Sequence, residues 1–177
     1  MDVEQQVASL KAAIRDVPDF PKKGIVFKDL TTLLKDPVTF GRAVDLLVET
    51  CKGRGARKIV AMESRGFILG SALADRLQLG FVPVRKPGKL PCKTVRASYE
   101  LEYGTDTLEM HADALEPGEP VLIVDDVIAT GGTARATGEL VRQLGGRVVA
   151  YVFLVELGFL NGRQKLADAE ILSLIRY

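Results

Sequence analysis

The chain has 177 residues, 47% of them hydrophobic, and 24 Lys and Arg against 23 Asp and Glu give a formal net charge of +1. This apolar content excludes an intrinsically disordered chain, and the balanced charge argues against nucleic acid as the main partner. With two cysteines, one histidine and no apolar run near the roughly 18 residues of a membrane span, the sequence predicts a cytoplasmic protein without membrane span, disulfide framework or zinc site.

The first fifty residues predict two helices separated by an irregular stretch. Two prolines and a glycine between Val17 and Gly24 break regular structure. Asp36-Pro37 predicts the start of the second helix, because Asp caps free N–H groups and Pro sits where no N–H is needed. The first helix is amphipathic, with Val3, Val7, Leu10 and Ile14 on one face, and the buried face of the second comprises Phe40, Val44, Leu47, Val48 and Cys51.

The rest of the chain alternates strands and helices. Apolar runs predict buried strands at 58–62, 81–85, 121–125 and 148–155. One helix ends at Leu77, with Gly80 as its stop, and another spans about Thr133 to Leu144 before Gly145-Gly146. The fold class predicted is α/β, with a mainly parallel twisted sheet flanked by helices. Residues 1–177 are expected to form a single domain.

Residues 85–112 interrupt this alternation. A basic stretch with Pro87-Gly88 and Pro91 is followed by two short runs on either side of Gly104. We predict a mobile basic loop and an antiparallel hairpin that turns at Gly104. Long loops within compact domains are often functional lids.

The strongest chemical signal lies in residues 121–133. A buried strand delivers Asp125 and Asp126, and a small Gly-rich turn then leads into a helix, where backbone N–H groups can hold a phosphate. Walker A and the dinucleotide-binding glycine motif are both absent. Acids beside a phosphate cradle suit a sugar phosphate, and the stretch resembles the motif that binds phosphoribosyl pyrophosphate (PRPP) in phosphoribosyltransferases. The cradle residues are Ala129, Thr130, Gly131, Gly132 and Thr133.

Two further segments carry cations. Ser64 and Arg65 follow the 58–62 strand, where free N–H groups and a bidentate Arg can grip pyrophosphate, although a capping turn with a surface Arg explains the pattern equally well. The second segment contributes Arg85, Lys86 and Lys89, either as a solvated basic loop or as a lid that brings cations to the leaving pyrophosphate.

With these motifs in order, the sequence is similar to the adenine phosphoribosyltransferase family over essentially its whole length. The resemblance rests on the Arg-Lys-x-Gly-Lys-Leu-Pro loop from Arg85, the Tyr-x-Leu-Glu-Tyr-Gly block from Tyr99, and the Phe-Pro segment from Phe20 to Asp29. It implies transfer of phosphoribose from PRPP to N9 of adenine, giving AMP and pyrophosphate. It also implies Mg²⁺ as cofactor, brought mainly by PRPP, and a homodimer.

The resemblance assigns roles to matching positions. Asp125 and Asp126 face the ribose hydroxyls and the associated magnesium, and residues 129–133 hold the 5′-phosphate. Pyrophosphate is assigned to Ser64, Arg65, Lys86 and Lys89, with Arg85 supplied by the partner subunit.

The resemblance also implies a base-binding hood within residues 1–35, with adenine held by Val26, Phe27, Lys28 and Tyr103. Lys28 departs from the Arg usual in that family, and a flexible point charge is no equivalent of a planar fork. Glu102 becomes the candidate acid or base near the purine. The family further implies a cis peptide bond between Glu63 and Ser64.

Two alternatives stay open at this point. The chain could use another purine base, although the Leu-Glu-Tyr-Gly block from Leu101 and the Phe-Pro segment argue against it. It could also be a non-catalytic regulator that senses PRPP or purines on the same fold, although balanced charge and the lid favour chemistry.

Overall fold

The computed structural model describes residues 2–100 and 104–177. They divide into two compact units, an N-terminal unit of Met1–Leu46 and a C-terminal unit of Leu47–Tyr177. Glu102 and Tyr103, predicted as site residues, lie outside the described residues, as does most of the turn predicted at Gly104. The family-implied cis bond between Glu63 and Ser64 is present.

The N-terminal unit combines short helices with a small hairpin. Its elements are α1 (Val3–Ala13), β1 (Arg15–Pro18), β2 (Val26–Asp29), α2 (Thr31–Leu34) and the start of α3 (Pro37–Cys51), with β1 antiparallel to β2. As predicted, Asp36 caps α3, since its Oδ1 accepts a hydrogen bond from the Thr39 N–H at 2.8 Å. The hairpin was not predicted, because its two short strands contain no fully buried residue, and prolines stand at the end of β1 and in the loop, where they indicate irregular structure.

The C-terminal unit is built on a five-stranded, all-parallel sheet in the order β4-β3-β7-β8-β9. A separate antiparallel hairpin, β5-β6, confirms the hairpin predicted within residues 85–112. The elements are β3 (Lys58–Met62), α4 (Arg65–Leu77), β4 (Gly80–Val84), β5 (Thr94–Glu100), β6 (Thr105–His111), β7 (Pro120–Ile128), α5 (Gly132–Gln143), β8 (Arg147–Glu156) and β9 (Glu170–Arg176).

Alternating side chains assign the two long helices of this unit to opposite faces of the sheet. Gly70 of α4 lies against Ala61 of β3, where an added Cβ would be 2.6 Å from the Ala61 Cβ. Val60 and Met62 point to the other face and join the core beneath α5 and the hairpin. Coverage of both faces explains why β3, β7 and β8 are nearly continuous apolar runs.

The fold class is therefore confirmed, and several boundaries need correction. Gly80 does not end α4: the helix ends at Leu77, and Gln78 adopts the left-handed conformation with φ 56° and caps it. Gly80 instead begins β4, where a Cβ would lie 3.0 Å from Cγ of Lys58. The strand predicted at 121–125 continues to Ile128, and β9 was missed. Among the described residues, no helix combines the length and hydrophobicity needed to cross a membrane.

Candidate active site

The carboxyl ends of β3 and β7 lie side by side, and two of the predicted motifs meet there. Ala61 of β3 is opposite Val124 of β7, and the pairing of the two strands ends at that point. β7 therefore extends beyond β3 with Asp125 and Asp126, beside the first turn of α4. This edge of an open parallel sheet is where ligands commonly bind.

Gly66 in the first turn of α4 permits a close approach to these acids. A Cβ added at Gly66 would lie 2.8 Å from Oδ1 of Asp125 and 3.2 Å from the carbonyl oxygen of Val124. A side chain here would force the Asp125 carboxylate to shift. The sequence analysis did not assign Gly66 a role, although it stands directly after the predicted Arg65.

Arg65 connects the two motifs through an ion pair. Its Nε lies 2.6 Å from Oδ2 of Asp126; the Asp126 carboxylate is buried, whereas the Arg65 side chain is 42% exposed. The guanidinium thus remains accessible to an anion. Burial, together with the neighbouring Asp126 carboxylate, raises the pKa of Asp125 well above its usual range. The Arg65 charge opposes this rise without cancelling it.

The turn after β7 forms a small cavity at the N-terminus of α5. Gly131 precedes the helix with φ 77°, and no side chain of the described residues caps it. The first N–H groups of an α-helix have no partner within the helix, so this end is suited to an anion. The cavity, of about 90 Å³, is lined by the predicted residues 129–133 together with Asp125, Val127, Ile128, Ala134 and Phe153.

A second glycine segment forms the back of this turn. A Cβ at Gly131 would lie 2.4 Å from the carbonyl oxygen of Gly162, and a Cβ at Gly162 would lie 2.3 Å from that of Ala129. Gly162 opens a short 3₁₀ helix, Gly162–Lys165. Next to it, Arg163 pairs with Glu156 at the end of β8, with Nε 2.8 Å from Oε1 and Nη2 2.7 Å from Oε2. Backbone packing therefore fixes the shape of the turn.

Two of the predicted lid cations converge on Glu63. Nε of Arg85 lies 2.8 Å from Oε2 of Glu63, and Nζ of Lys89 lies 2.8 Å from Oε1. Burial opposes the charged form of Glu63, but the hydrogen bonds from Lys89 and Arg85 outweigh it, so its pKa lies below the usual range. In this chain Arg85 therefore pairs with its own Glu63; its predicted reach into a partner subunit stays a prediction.

The third lid cation, Lys86, pairs with the hairpin. Its Nζ lies 2.8 Å from Oδ2 of Asp106, which also accepts a hydrogen bond from the Tyr99 hydroxyl at 3.3 Å. The Tyr99 hydroxyl also accepts a hydrogen bond from the hydroxyl of Thr133, which belongs to the turn of residues 129–133, here called the phosphate turn. The hydrogen bond to Lys86 lowers the pKa of Asp106 below its usual range. A polar chain thus runs from the lid to the start of α5.

The predicted adenine-binding residues belong to the N-terminal unit. Val26, Phe27 and Lys28 follow one another on β2. The Phe27 ring packs edge to face against that of Phe20, with 5.2 Å between the ring centroids. Nζ of Lys28 lies 2.6 Å from Oδ1 of Asp16. Lys28 thus takes part in pairing across the β1-β2 hairpin.

Within the C-terminal unit, the structure gathers the predicted acids, the turn predicted to hold phosphate and the cations predicted to bind pyrophosphate. Besides Gly66, it adds four residues that sequence reasoning missed: Glu63, Tyr99, Asp106 and Gly162. Glu63 and Tyr99 stand inside motifs quoted from the sequence, so their positions carried a signal. Asp106 and Gly162 lie outside those motifs, and only the folded chain brings them to the site.

The two acids at this edge, Asp125 and Asp126, are possible ligands of a magnesium ion. Within residues 2–100 and 104–177, no group of three or more His, Cys, Asp or Glu side chains could hold a metal ion. Mg²⁺ commonly takes one or two carboxylates and completes its shell with water and substrate phosphates. Asp125 and Asp126 fit that pattern, for a magnesium ion that arrives with a phosphorylated ligand.

Comparison with known proteins gives a consistent result. The family model "Phosphoribosyl transferase domain" matches residues 41–171. Among curated relatives, the adenine phosphoribosyltransferase of Geobacter metallireducens is 59% identical over 168 residues, which are 95% of this chain and 98% of the relative. The corresponding protein of Acidobacterium capsulatum is 55% identical, over 95% of this chain and 93% of the relative.

Solved structures agree with the sequence comparison. The adenine phosphoribosyltransferase of Thermoanaerobacter pseudethanolicus superposes with a TM-score of 0.94 at 53% identity, covering 97% of this chain and 99% of the other. The Saccharomyces cerevisiae enzyme was solved with an imino-altritol bisphosphate and adenine. It gives a TM-score of 0.91 at 43% identity, over 97% of this chain and 99% of the other.

Proposed function

The chain belongs to the adenine phosphoribosyltransferase family, and we propose that it transfers the 5-phosphoribosyl group of PRPP to N9 of adenine, giving AMP and pyrophosphate in purine salvage. The observation that carries this proposal is the edge where β7 presents Asp125 and Asp126 between Arg65 and an uncapped helix N-terminus. At that edge the two acids can bind sugar hydroxyls, the N–H groups of α5 can bind the 5′-phosphate, and Arg65 can bind the pyrophosphate.

The 5′-phosphate binds in the turn from Ala129 to Thr133. The free N–H groups at the start of α5 donate to the phosphate oxygens, and the helix dipole favours their charge. The hydroxyls of Thr130 and Thr133 add further donors. The cavity of about 90 Å³ at this turn is the space that receives the group.

The ribose lies over the acids of β7. Asp125 and Asp126 accept hydrogen bonds from the sugar hydroxyls. Both side chains are fixed from behind, because Gly66 and Arg65 lie against them. A sugar held in this way presents its anomeric carbon in one orientation.

Pyrophosphate lies toward Ser64 and Arg65 and the lid cations Lys86 and Lys89. Arg85 comes from the partner subunit in the homodimer that we propose. Cations that meet the leaving group stabilise the charge that develops on it as its bond breaks. Asp125 and Asp126 would hold a Mg²⁺ ion that arrives with PRPP, and the ion would supply further neutralisation of the charge on the leaving group.

Adenine is held by the hood residues Val26, Phe27 and Lys28, together with Tyr103. The bond from the anomeric carbon to pyrophosphate breaks with both electrons leaving on oxygen, and the bond to N9 forms on the oxocarbenium-like sugar. The proton that adenine loses passes to Glu102, directly or through N7. We also propose that the protein is cytoplasmic, a compartment in which its free cysteines Cys51 and Cys92 stay reduced.

The test is release of pyrophosphate from PRPP and magnesium with adenine, hypoxanthine, guanine and orotate offered separately. Turnover with adenine alone is the expected result. Turnover with another base would overturn the hood assignment and leave the PRPP site standing. PRPP binding without turnover on any base would make a ligand-sensing regulator the better interpretation.

A further inference from the structure

Every cation assigned to pyrophosphate already faces an acid of the same chain. Arg65 faces Asp126, Arg85 and Lys89 share Glu63, and Lys86 faces Asp106. This section rests on the proposed function, because it concerns how pyrophosphate reaches those cations. Asp126 has the ribose as a further partner, whereas Glu63 and Asp106 have no role so far.

Glu63 is more deeply buried than Asp106. It follows β3 directly, its backbone N–H donates to the carbonyl oxygen of Val84 at 2.9 Å, and its side chain is 10% exposed. The two cations that it meets are 35% exposed for Arg85 and 48% for Lys89. One rigid carboxylate therefore holds two long side chains whose outer faces stay in water.

Asp106 has the same relation to Lys86. Its side chain is 22% exposed against 54% for the lysine. Asp106 is fixed on β6 by the N–H of Thr107, which donates to its Oδ1 at 2.9 Å. The hydrogen bond and charge of Asp106 raise the pKa of Lys86, so the lysine stays charged.

Neither acid can itself bind a polyanion, since a carboxylate repels phosphate oxygens. Without an anion, however, three cations within residues 85–89 would repel one another. Glu63 and Asp106 offset that repulsion from the fixed ends of β3 and β6. An incoming pyrophosphate, which carries more charge than either carboxylate, competes for the same cations.

We propose that Glu63 and Asp106 are internal counter-ions that hold Lys86 and Lys89 beside the phosphate-binding edge, and Arg85 ready for the site of the partner subunit, until pyrophosphate replaces the two carboxylates as partner of these cations. They are positioning residues, since they act on the substrate only through the cations. The device keeps the lid segment compact when the site holds no anion. Because the carboxylates compete with pyrophosphate for the same cations, they also lower the affinity for pyrophosphate and so favour release of this product.

The proposal predicts a gain that a merely structural role would not produce. Glu63→Gln keeps the size of the side chain and removes its charge, so magnesium pyrophosphate should bind about two- to tenfold more tightly, the range expected from the modest strength of exposed ion pairs. Asp106→Asn, which frees one cation instead of two, should give a smaller gain. Glu63→Asp, which retains the charge, should stay near the wild-type affinity.

The experiment is calorimetric titration of each folded variant with pyrophosphate at fixed magnesium and pH. Glu170→Gln is the matched control. Glu170 lies on the outer strand β9 and pairs with Arg54, so the substitution also removes one acid from an ion pair. The control should bind like the wild type, and the Glu63→Gln and Asp106→Asn variants more tightly. Affinity that is unchanged or weaker in both variants would overturn the proposal.

Turnover keeps this inference separate from the proposed function. If the wild type releases pyrophosphate with adenine while neither variant binds it more tightly, the counter-ion role alone fails. If the wild type neither turns over nor binds pyrophosphate, the proposed function fails first. Should Glu63→Gln not fold, judged by thermal unfolding, Asp106→Asn decides the question on its own.

Discussion

The phosphate turn and the lid segment are both proposed to bind anions, but they are held by different forces. The turn from Ala129 to Thr133 is fixed by backbone packing against Gly162 and by the buried strand β7, which leads into it and pairs with β8. The lid cations are held by ion pairs whose cationic partners are a third to a half exposed. Such pairs contribute little each and are weakened by salt. The turn is therefore a preformed receptor, and the lid is readily rearranged.

The largest expected effect comes from Gly131→Ala. The new Cβ would meet the Gly162 carbonyl oxygen at 2.4 Å, and φ of 77° is strained for alanine. We expect kcat/KM for PRPP to fall by about a hundredfold or more, as for losses of well-placed donors to a reacting group. Steady-state kinetics would show this, and activity within a few-fold of wild type would contradict the preformed turn.

Arg65→Ala should come next, because it removes the cation that faces both Asp126 and the pyrophosphate. We expect PRPP affinity to fall by about ten- to a hundredfold, the loss typical of a charged contact. Adenine affinity should change little. Separate binding titrations with PRPP and adenine check this, and retained PRPP affinity would remove Arg65 from the pyrophosphate site.

Gly66→Ala should give a moderate defect, because its Cβ would lie 2.8 Å from the Asp125 carboxylate, which can shift more easily than backbone. A decrease of about tenfold in kcat/KM is expected, corresponding to 1.4 kcal/mol. The matched control is Gly41→Ala in α3, where an added Cβ meets nothing within 4 Å. The control should keep wild-type activity and gain stability, since alanine favours helices.

Glu156→Gln tests the support behind the turn. The hydrogen bonds from Arg163 lower the Glu156 pKa from 4.5 to about 2, so its contribution to stability is complete above the ordinary pKa and is lost as pH falls through the lowered one. At pH 7 the variant should be less stable by about 1–3 kcal/mol. Urea unfolding should show this difference shrinking between pH 4.5 and 2, and a constant difference would contradict the role.

The smallest effect is expected for Gly88→Ala in the lid. Gly88 has φ 79°, almost the same as Gly131, but an added Cβ meets nothing within 4 Å. Only backbone strain remains, about 1–2 kcal/mol, and kcat/KM should change less than about fivefold. Equal damage at both glycines would show that backbone conformation alone, and not packing, separates the turn from the lid.

Sequence reasoning succeeded where the signal is local. The alternation of apolar runs and helices gave the parallel sheet, and Asp125, Asp126 and the Gly-rich turn stand together in one stretch. It failed where the contact joins distant segments. Nothing near Gly162 indicates that its backbone touches the turn at Gly131, and nothing near Glu63 indicates that it meets Lys89.

Secondary structure shows the same limit. β1 and β2 were missed because they contain no fully buried residue, and because the prolines at the end of β1 and in the loop indicate irregular structure. The sequence assigned Gly80 to a helix end because glycine commonly holds that place, while Gln78 adopts the left-handed conformation two residues earlier. Such choices depend on the neighbour that each residue meets in three dimensions.

The contact between Gly131 and Gly162 links two positions that are far apart along the chain. A side chain at either one would occupy space that the backbone of the other already fills. Substitutions at the two positions should therefore not be additive in a double-mutant cycle. If the phosphate turn were grafted onto another protein, the segment around Gly162 would have to be grafted with it. The turn at Gly131 packs against the backbone of that segment and would otherwise lack its support.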